Sequence, residues 1–424
     1  MSIFPFISAP AVCLFALSLG AACSGSAGVD PSDTAGTTGT STATEDETGT
    51  TDLSATESAG TDTASTDTDT DTNTAETDDT LPPPEPVSLT LIEEVVFYDG
   101  YAATVDEPVP EGIVRHSNAL YATKLADDDL ASIQNTLNMR VYIGALCDNY
   151  DRIGGVFLSL VPKGSDTYVP AEVTRYEIAR FITPFMNMNK KPDIVPYAFD
   201  LANLVPLITD PAIQAEYDLW FELSVFGVPY AANTEVAGCD GRSDVFLGAL
   251  LLDSDSTTEA QAFDFTTPLA TYESLNNYQE NATDELGFTR KTIDFSLDDA
   301  TSETQLVLIT SNHGANQGGE EYSRREHYVG IDDTLVHQYK PGRESCEPFR
   351  MYNTQGNGIY GPSPKTDAQW QSFSNWCPGD IIDTRIIPLG AMSAGAHHFV
   401  IEVPDAKFVN GEGNIPLSLY IQGR

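Results

Sequence analysis

The chain has 424 residues, with 21 Lys+Arg against 63 Asp+Glu, a formal net charge of −42 and a pI near 4.1. The length is about twice that of a usual domain, and the charge would repel a phosphate backbone, which excludes nucleic acid as a partner. Hydrophobic content is 41% with 18 Tyr and 19 Phe, enough to fill cores, and no apolar run beyond the N-terminus is long enough to span a bilayer.

Residues 3–22 are apolar and uncharged, and they end in Leu19-Gly20-Ala21-Ala22 before Cys23. Residues 1–22 therefore read as an export signal, and small residues before a cysteine resemble a bacterial lipobox, with Cys23 lipidated. The alternative is an ordinary secretory signal. Residues 24–86 are rich in Thr, Ser, Asp and Gly and hold 15 acidic residues with no basic one. Such a stretch cannot offset its chain entropy and self-repulsion extends it, so residues 23–86 are expected to be a disordered linker. Removing its 15 charges from −42 leaves −27 on the rest. The expected location is the outer cell surface or periplasm, tethered by lipid alone or freely secreted.

From Val87 the texture becomes short alternating runs separated by turn residues. Residues 140–146 (RVYIGAL), 155–162 (GVFLSLVP), 305–311 (QLVLITS) and 398–404 (HFVIEVP) are examples. Period-2 alternation rich in Val, Ile, Tyr and Phe predicts strands. Helical spacing is weak, around residues 125–135 and 210–217. Many short strands without βαβ spacing predict an all-β fold of two tandem antiparallel jelly-roll sandwiches. The polar gap at residues 253–260 (DSDSTTEA) divides them, giving residues 87–253 and 254–424.

Beyond Cys13 and Cys23 remain Cys147, Cys239, Cys346 and Cys377, an even number in an exported chain. Two disulfides are expected, one per half: Cys147–Cys239 and Cys346–Cys377. There is no CxxC or His–Cys spacing for zinc, and GxSxG, GxxxxGK and HExxH are absent.

Five strings stand out: Cys147-Asp-Asn-Tyr-Asp151-Arg152, EIARFITP (Glu177 to Pro184), Ser311-Asn-His313-Gly, Gly318-Gly-Glu320-Glu321-Tyr322 and Asn375-Trp376-Cys377-Pro378-Gly379. In this order they resemble the peptide:N-glycosidase F family, exported amidases that cleave N-glycans from asparagine. The resemblance covers most of residues 87–424. It implies tandem jelly rolls with a site in the cleft between them, no metal and no cofactor.

Three carboxylates carry over from that resemblance as catalytic candidates. Asp151 stands where the family has an aspartate before arginine, Glu222 matches a carboxylate on the last strands of the first jelly roll, and Glu321 matches one in the second. Glu321 is preferred to Glu320 because an aromatic residue and, at the family's spacing, His327 follow it. Amide hydrolysis needs an activated water, a stabilised oxyanion and a protonated leaving amine. Acids sharing a cleft cannot all ionise cheaply, so one should titrate high and donate a proton. Asp151 is expected to be the primary carboxylate, kept ionised and oriented by Arg152. Arg152, His313, Tyr322 and Trp376 are candidates for substrate binding, with a buried structural His313 and a core Trp376 as the alternatives.

Departures from the family pattern thin its sugar-stacking positions: Ser224, Ser311 and Tyr150 replace tryptophans, and an arginine is missing from residues 371–376. The expected function is an exported amidase hydrolysing the bond between Asn and the first GlcNAc, acting as a monomer on N-glycosylated proteins or glycopeptides. The alternative is a surface lipoprotein that binds glycoproteins without turnover. A copper monooxygenase, suggested by His397-His398, is a distant third because no HxH pair accompanies it.

Overall fold

The computed structural model describes residues 84–275, 289–315, 319–372, 374–408 and 413–424. The export signal, Cys23, the linker up to residue 83 and Gly318 lie outside the described residues. The first half builds nine strands: β1 (Val87–Tyr98), β2 (Ile113–Ser117), β3 (Leu120–Lys124), β4 (Asn138–Ala145), β5 (Ile153–Pro162), β6 (Thr174–Ile182), β7 (Ile194–Asp200), β8 (Tyr217–Val225) and β9 (Asp244–Ser254). The second adds β10 (Phe265–Ser274), β11 (Arg290–Leu297), β12 (Thr304–Thr310), β13 (His327–Ile331), β14 (Thr334–Tyr339), β15 (Thr384–Pro388), β16 (Gly395–Glu402) and β17 (Pro416–Gly423).

The strands pair in four antiparallel sheets, two per half: β1-β9-β4-β7 and β2-β3-β8-β5-β6, then β10-β17-β12-β15 and β11-β16-β13-β14. Each pair faces a shared apolar core. Val95, Phe97, Met139 and Val141 meet Leu158, Ile178, Phe221 and Leu223 in the first half. Leu306, Leu308, Leu417 and Leu419 meet Val329, Phe399 and Ile401 in the second. The chain is thus a double jelly roll, as its alternation predicts.

Local chemistry explains the details. In β7, Val195, Tyr197 and Phe199 point inward while Ile194, Pro196 and Ala198 point out; β7 is an edge strand, where a residue without an N–H is tolerated. The expected helices shrink to one turn or so, Asp127–Ala131 and Pro211–Glu216, the latter capped by the Asp210 side chain on Ala212 N–H. The polar gap does not interrupt β9, because Asp253 pairs with Arg140 and the Ser254 hydroxyl donates to the Thr136 carbonyl. Both expected disulfides are formed, Cys147–Cys239 and Cys346–Cys377.

Both halves belong to one compact unit, and β6 is the seam between them. Its Glu177–Arg180 ion pair is wholly buried. Arg180 donates to Ser311 Oγ (2.8 Å) and the Pro416 carbonyl (2.9 Å), and Ser418 donates to Glu177. Ile182 N–H reaches the Asp380 carbonyl at 2.9 Å. The EIARFITP string therefore works as an interdomain clamp.

Candidate active site

Asp151 stands two residues before β5, in a loop fastened at both ends. Arg152 N–H donates to Thr183 Oγ1 and Thr183 N–H to the Arg152 carbonyl, both at 2.8 Å. Upstream, Cys147 is fixed by its disulfide, and the fully buried Asp148 accepts from Tyr150 N–H (2.9 Å), Val228 N–H (2.7 Å) and Arg152 Nε (2.6 Å). The Arg152 guanidinium is thus committed to Asp148, not to Asp151. This corrects the expected Asp151–Arg152 pairing. The physical reason is that Asp148 sits four positions before Arg152 with its carboxylate already held by two backbone donors, one of them the distant Val228, so the cation adds to that set.

Glu321 lies in the loop between β12 and β13. The Asn375 amide nitrogen donates to the Glu321 carbonyl (2.6 Å) and the Glu320 carbonyl (2.8 Å), which fixes the backbone on both sides. Glu321 Oε2 accepts from Gly314 N–H at 3.3 Å and shares a hydrogen bond with the Tyr322 hydroxyl. Gly314 has φ +113°, and a Cβ there would meet Gly413 Cα at 2.8 Å; only glycine lets the two loops approach this closely. Its neighbour Glu320 faces away, paired with Arg325 at 2.7 Å and accepting from Lys407 N–H at 2.8 Å. Of the two adjacent glutamates, Glu321 is the one turned toward Asp151.

Asp151 and Glu321 act on each other electrostatically. Burial pushes the Asp151 carboxyl well above the usual carboxylate range, the Glu321 charge pushes it further, and Arg152 only partly offsets them. Burial also raises Glu321, opposed by its bonds from Tyr322 and Gly314 N–H. Asp151 Oδ2 is sealed from water and has no hydrogen-bond partner among the described residues. Two half-buried acids, one of them with a sealed, unpartnered oxygen and beside a cation already paired with Asp148, cannot both carry a charge cheaply. Their surroundings favour a form with one proton between them over the ionised Asp151 that its sequence context suggested.

The other candidates lie elsewhere. Glu222 is fully buried on the outer face of the β5–β8 sheet, accepting from Ser159 Oγ (2.6 Å), the Tyr168 hydroxyl (2.7 Å) and Arg175 Nε (2.7 Å). It pairs with Phe157 in mid-β5, six residues from Asp151, or roughly 20 Å of strand at the usual rise. Glu222 does not join the carboxyl pair. His313 is buried, its Nε2 2.7 Å from Ser311 Oγ, and burial with the nearby Arg180 holds its pKa down to about 3. Trp376 is 5% exposed and donates its indole N–H to the Asn312 carbonyl at 3.0 Å. Both fit the buried alternatives, since the Trp376 indole N–H is taken up by Asn312 and His313 Nε2 by Ser311. His327 is likewise buried against Tyr339, at 4.7 Å between rings.

His397 and His398 do not make a copper pair. His397 Nδ1 is 2.6 Å from Asp332 Oδ2 and its Nε2 2.8 Å from the Ser393 carbonyl, so neither nitrogen offers a lone pair. Among the described residues no group of three or more His, Cys, Asp and Glu is arranged to hold a metal. Three contributors escaped sequence reasoning. Asp148 was hidden beside a more prominent aspartate, and Gly314 and Asn375 act through backbone geometry.

A double jelly roll with a buried acid pair contributed from both halves is the frame of this site. The chain belongs to the peptide-N-glycosidase F family: residues 89–241 match the family's N-terminal model and residues 277–422 its C-terminal model. Among solved structures, PNGF-II is 20% identical with a TM-score of 0.57, covering 80% of this chain and 65% of its own. Recombinant PNGase F is 16% identical with a TM-score of 0.51, covering 80% and 95%. PNGase F of Flavobacterium meningosepticum, described as a glycosylasparaginase, is 15% identical with a TM-score of 0.50, covering 80% and 96%. The chain thus spans about two thirds (65%) of the length of PNGF-II. No curated protein sequence matches it significantly.

Proposed function

We propose that the protein is an exported amidase that hydrolyses the amide joining asparagine to the first GlcNAc of an N-linked glycan. The observation carrying this reading is the Asp151–Glu321 pair, two electrostatically interacting carboxyls, one of which keeps a buried oxygen without a hydrogen-bond partner among the described residues. Family membership supplies the reaction class. Glu321, held by two donors, is the better anion and serves as general base: it takes a proton from water as the water oxygen adds to the amide carbon. Asp151, held protonated, gives its proton to the leaving nitrogen as the carbon–nitrogen bond breaks. The products are aspartate and a glycosylamine.

Arg152 supplies the third requirement. Its Nε and Nη2 are bonded to Asp148, while Nη1 makes no hydrogen bond among the described residues. That free donor beside Asp151 suits the oxyanion that develops when water adds. Export through residues 1–22 and a tether at Cys23 would deliver this chemistry to glycoproteins outside the cell.

The test is incubation with an N-glycopeptide and mass analysis of both products. Asparagine converted to aspartate together with released glycan is the expected outcome. One observation favours the second reading, a glycoprotein-binding lipoprotein: only two of the three expected carboxylates converge. Retention of glycopeptides on immobilised protein, with no aspartate formed, would replace the enzyme by that binder.

A further inference from the structure

Arg152 is also flanked by tyrosines that nothing in the chemistry above uses. Tyr101 is 60% exposed and Tyr230 61% exposed. Their rings are nearly parallel, 13° apart with centroids at 6.3 Å, and both hydroxyls interact electrostatically with Arg152. Tyr150, 43% exposed, lies beneath the same guanidinium at 5.5 Å. Single exposed aromatics are ordinary, but three gathered around one cation beside a buried acid pair form a patch.

The patch is built on fixed loops. Gly100 N–H donates to the Gly227 carbonyl at 2.9 Å, tying the Tyr101 loop to the one that leads to Tyr230. Val228 N–H is anchored on Asp148 at 2.7 Å, so the second loop hangs from the ion pair that holds Arg152. Phe226 forms the floor: its ring meets Tyr101 edge-on at 5.1 Å. It lies so close under Gly100 that a Cβ there would stand 2.4 Å from it. Rings held this firmly, yet left in water, offer flat faces at little entropic cost on binding.

We infer that Tyr101 and Tyr230 form a carbohydrate subsite, stacking on the pyranose faces of the glycan while its asparagine linkage lies at Asp151 and Glu321. This deepens the amidase reading and takes its direction from it. A glycosylated asparagine presents two things beside its linkage, peptide and sugar. The peptide side chains differ from one substrate to the next, whereas the sugars adjoining the linkage are constant. A rigid, flat, aromatic surface suits the constant partner, whose C–H faces are apolar and whose hydroxyls can reach the tyrosine hydroxyls.

The test measures binding of free oligomannose ending in chitobiose, by calorimetry on the full chain, together with KM and kcat on an N-glycopeptide. Tyr101→Ala with Tyr230→Ala should weaken oligosaccharide binding about tenfold and raise KM more than it lowers kcat. The Tyr→Phe pair should restore most of the affinity, which a merely structural role in the loops would also allow. The discriminating control is therefore the deglycosylated peptide, whose binding should not change. Equal oligosaccharide affinity in wild type and the alanine pair, or no oligosaccharide binding by wild type, overturns the subsite while leaving the amidase reading intact. Loss confined to the peptide overturns it too. Oligosaccharide binding that the alanine pair abolishes, in a protein that forms no aspartate, keeps the subsite and removes the amidase.

Discussion

Two glutamates make an instructive contrast: Glu222 on the outer face of the first half's five-stranded sheet and Glu321 in a loop of the second half. Glu222 is the more deeply buried, at 0% exposure, yet its carboxylate has three donors and a guanidinium among them. Glu321 is less buried, but shares its pocket with a second acid and no committed cation. Depth of burial alone would rank them the wrong way for chemistry. What separates a structural carboxylate from a reactive one is the balance of partners: a satisfied acid is held in one state, and an under-satisfied pair is left able to exchange a proton.

The strongest way to break this contrast is to neutralise each acid in turn. Asp151→Asn and Glu321→Gln should each lower kcat on an N-glycopeptide by at least about 10²-fold, the usual contribution of a positioned acid or base. Neither should destabilise the fold, because each removes an under-compensated buried acid. Glu222→Gln should do the reverse. Leaving Arg175 without its counter-charge and turning one of the two acceptor oxygens into an NH2 donor should cost about 3 kcal/mol, reading low in the range for broken buried pairs because Arg175 is 20% exposed. A lower urea midpoint at unchanged slope, with kcat per folded molecule within about twofold of wild type, is the expected result. A Glu222→Gln protein that is stable but inactive would restore the third catalytic carboxylate and sink the contrast.

A pH profile sharpens it further. Turnover needs one proton on the pair, so kcat should fall on the acid side as Glu321 gains a proton and on the alkaline side as Asp151 loses its own. Both folded-state values are raised, so both limbs should lie above the ordinary carboxylate range. The linkage sign agrees: acids raised on folding favour the folded state at low pH and withdraw that support as pH rises through their folded values. Glu222→Gln should keep the same two limbs. A profile with only one limb, at an ordinary carboxylate value, would argue against a shared proton.

The fold was legible in the sequence because strand alternation and turn residues are local signals, and the four cysteines restricted the pairing. The site was legible only in part. Asp151 and Glu321 could be placed because each sits in a specific string, but EIARFITP turned out to hold the halves together through Arg180, and NWCPG to hold the Glu321 loop through Asn375. Whether Arg152 pairs with Asp148 or with Asp151 depends on Val228, 80 residues away, whose N–H completes the Asp148 set. The same distance hid the fate of Glu222: only the folded chain brings Tyr168 and Arg175 over β8. Trp376 and His313 read as sugar contacts because aromatic and imidazole groups serve that role, and nothing local announces that Asn312 and Ser311 will satisfy their polar atoms first.

The smallest predicted effect extends the partner rule from acids to a base. Buried His397 faces two acceptors, the Asp332 carboxylate on Nδ1 and the Ser393 carbonyl on Nε2. A neutral ring can donate from one nitrogen only, so meeting both requires the imidazolium. Its bond to Asp332, then that to Ser393, raises its pKa above the ordinary histidine value, while the same contact lowers Asp332. On the other faces Phe295 stacks on the ring at 5.5 Å and His398 lies beside Asp333 and Asp332, so among the described residues no cation other than His398 pairs with these carboxylates. The support from His397 is therefore complete below its unfolded value near 6.5 and is lost as pH rises through the higher folded value. That from Asp332 holds above its unfolded value and is lost only as pH falls through a lower one. His397→Gln, which cannot carry the charge, should unfold at a lower temperature than wild type in mildly acidic solution, and the gap should close as pH rises. A gap that stays constant from roughly pH 5 to 9 would mean that the ring packs without its charge and that the rule stops at the carboxylates.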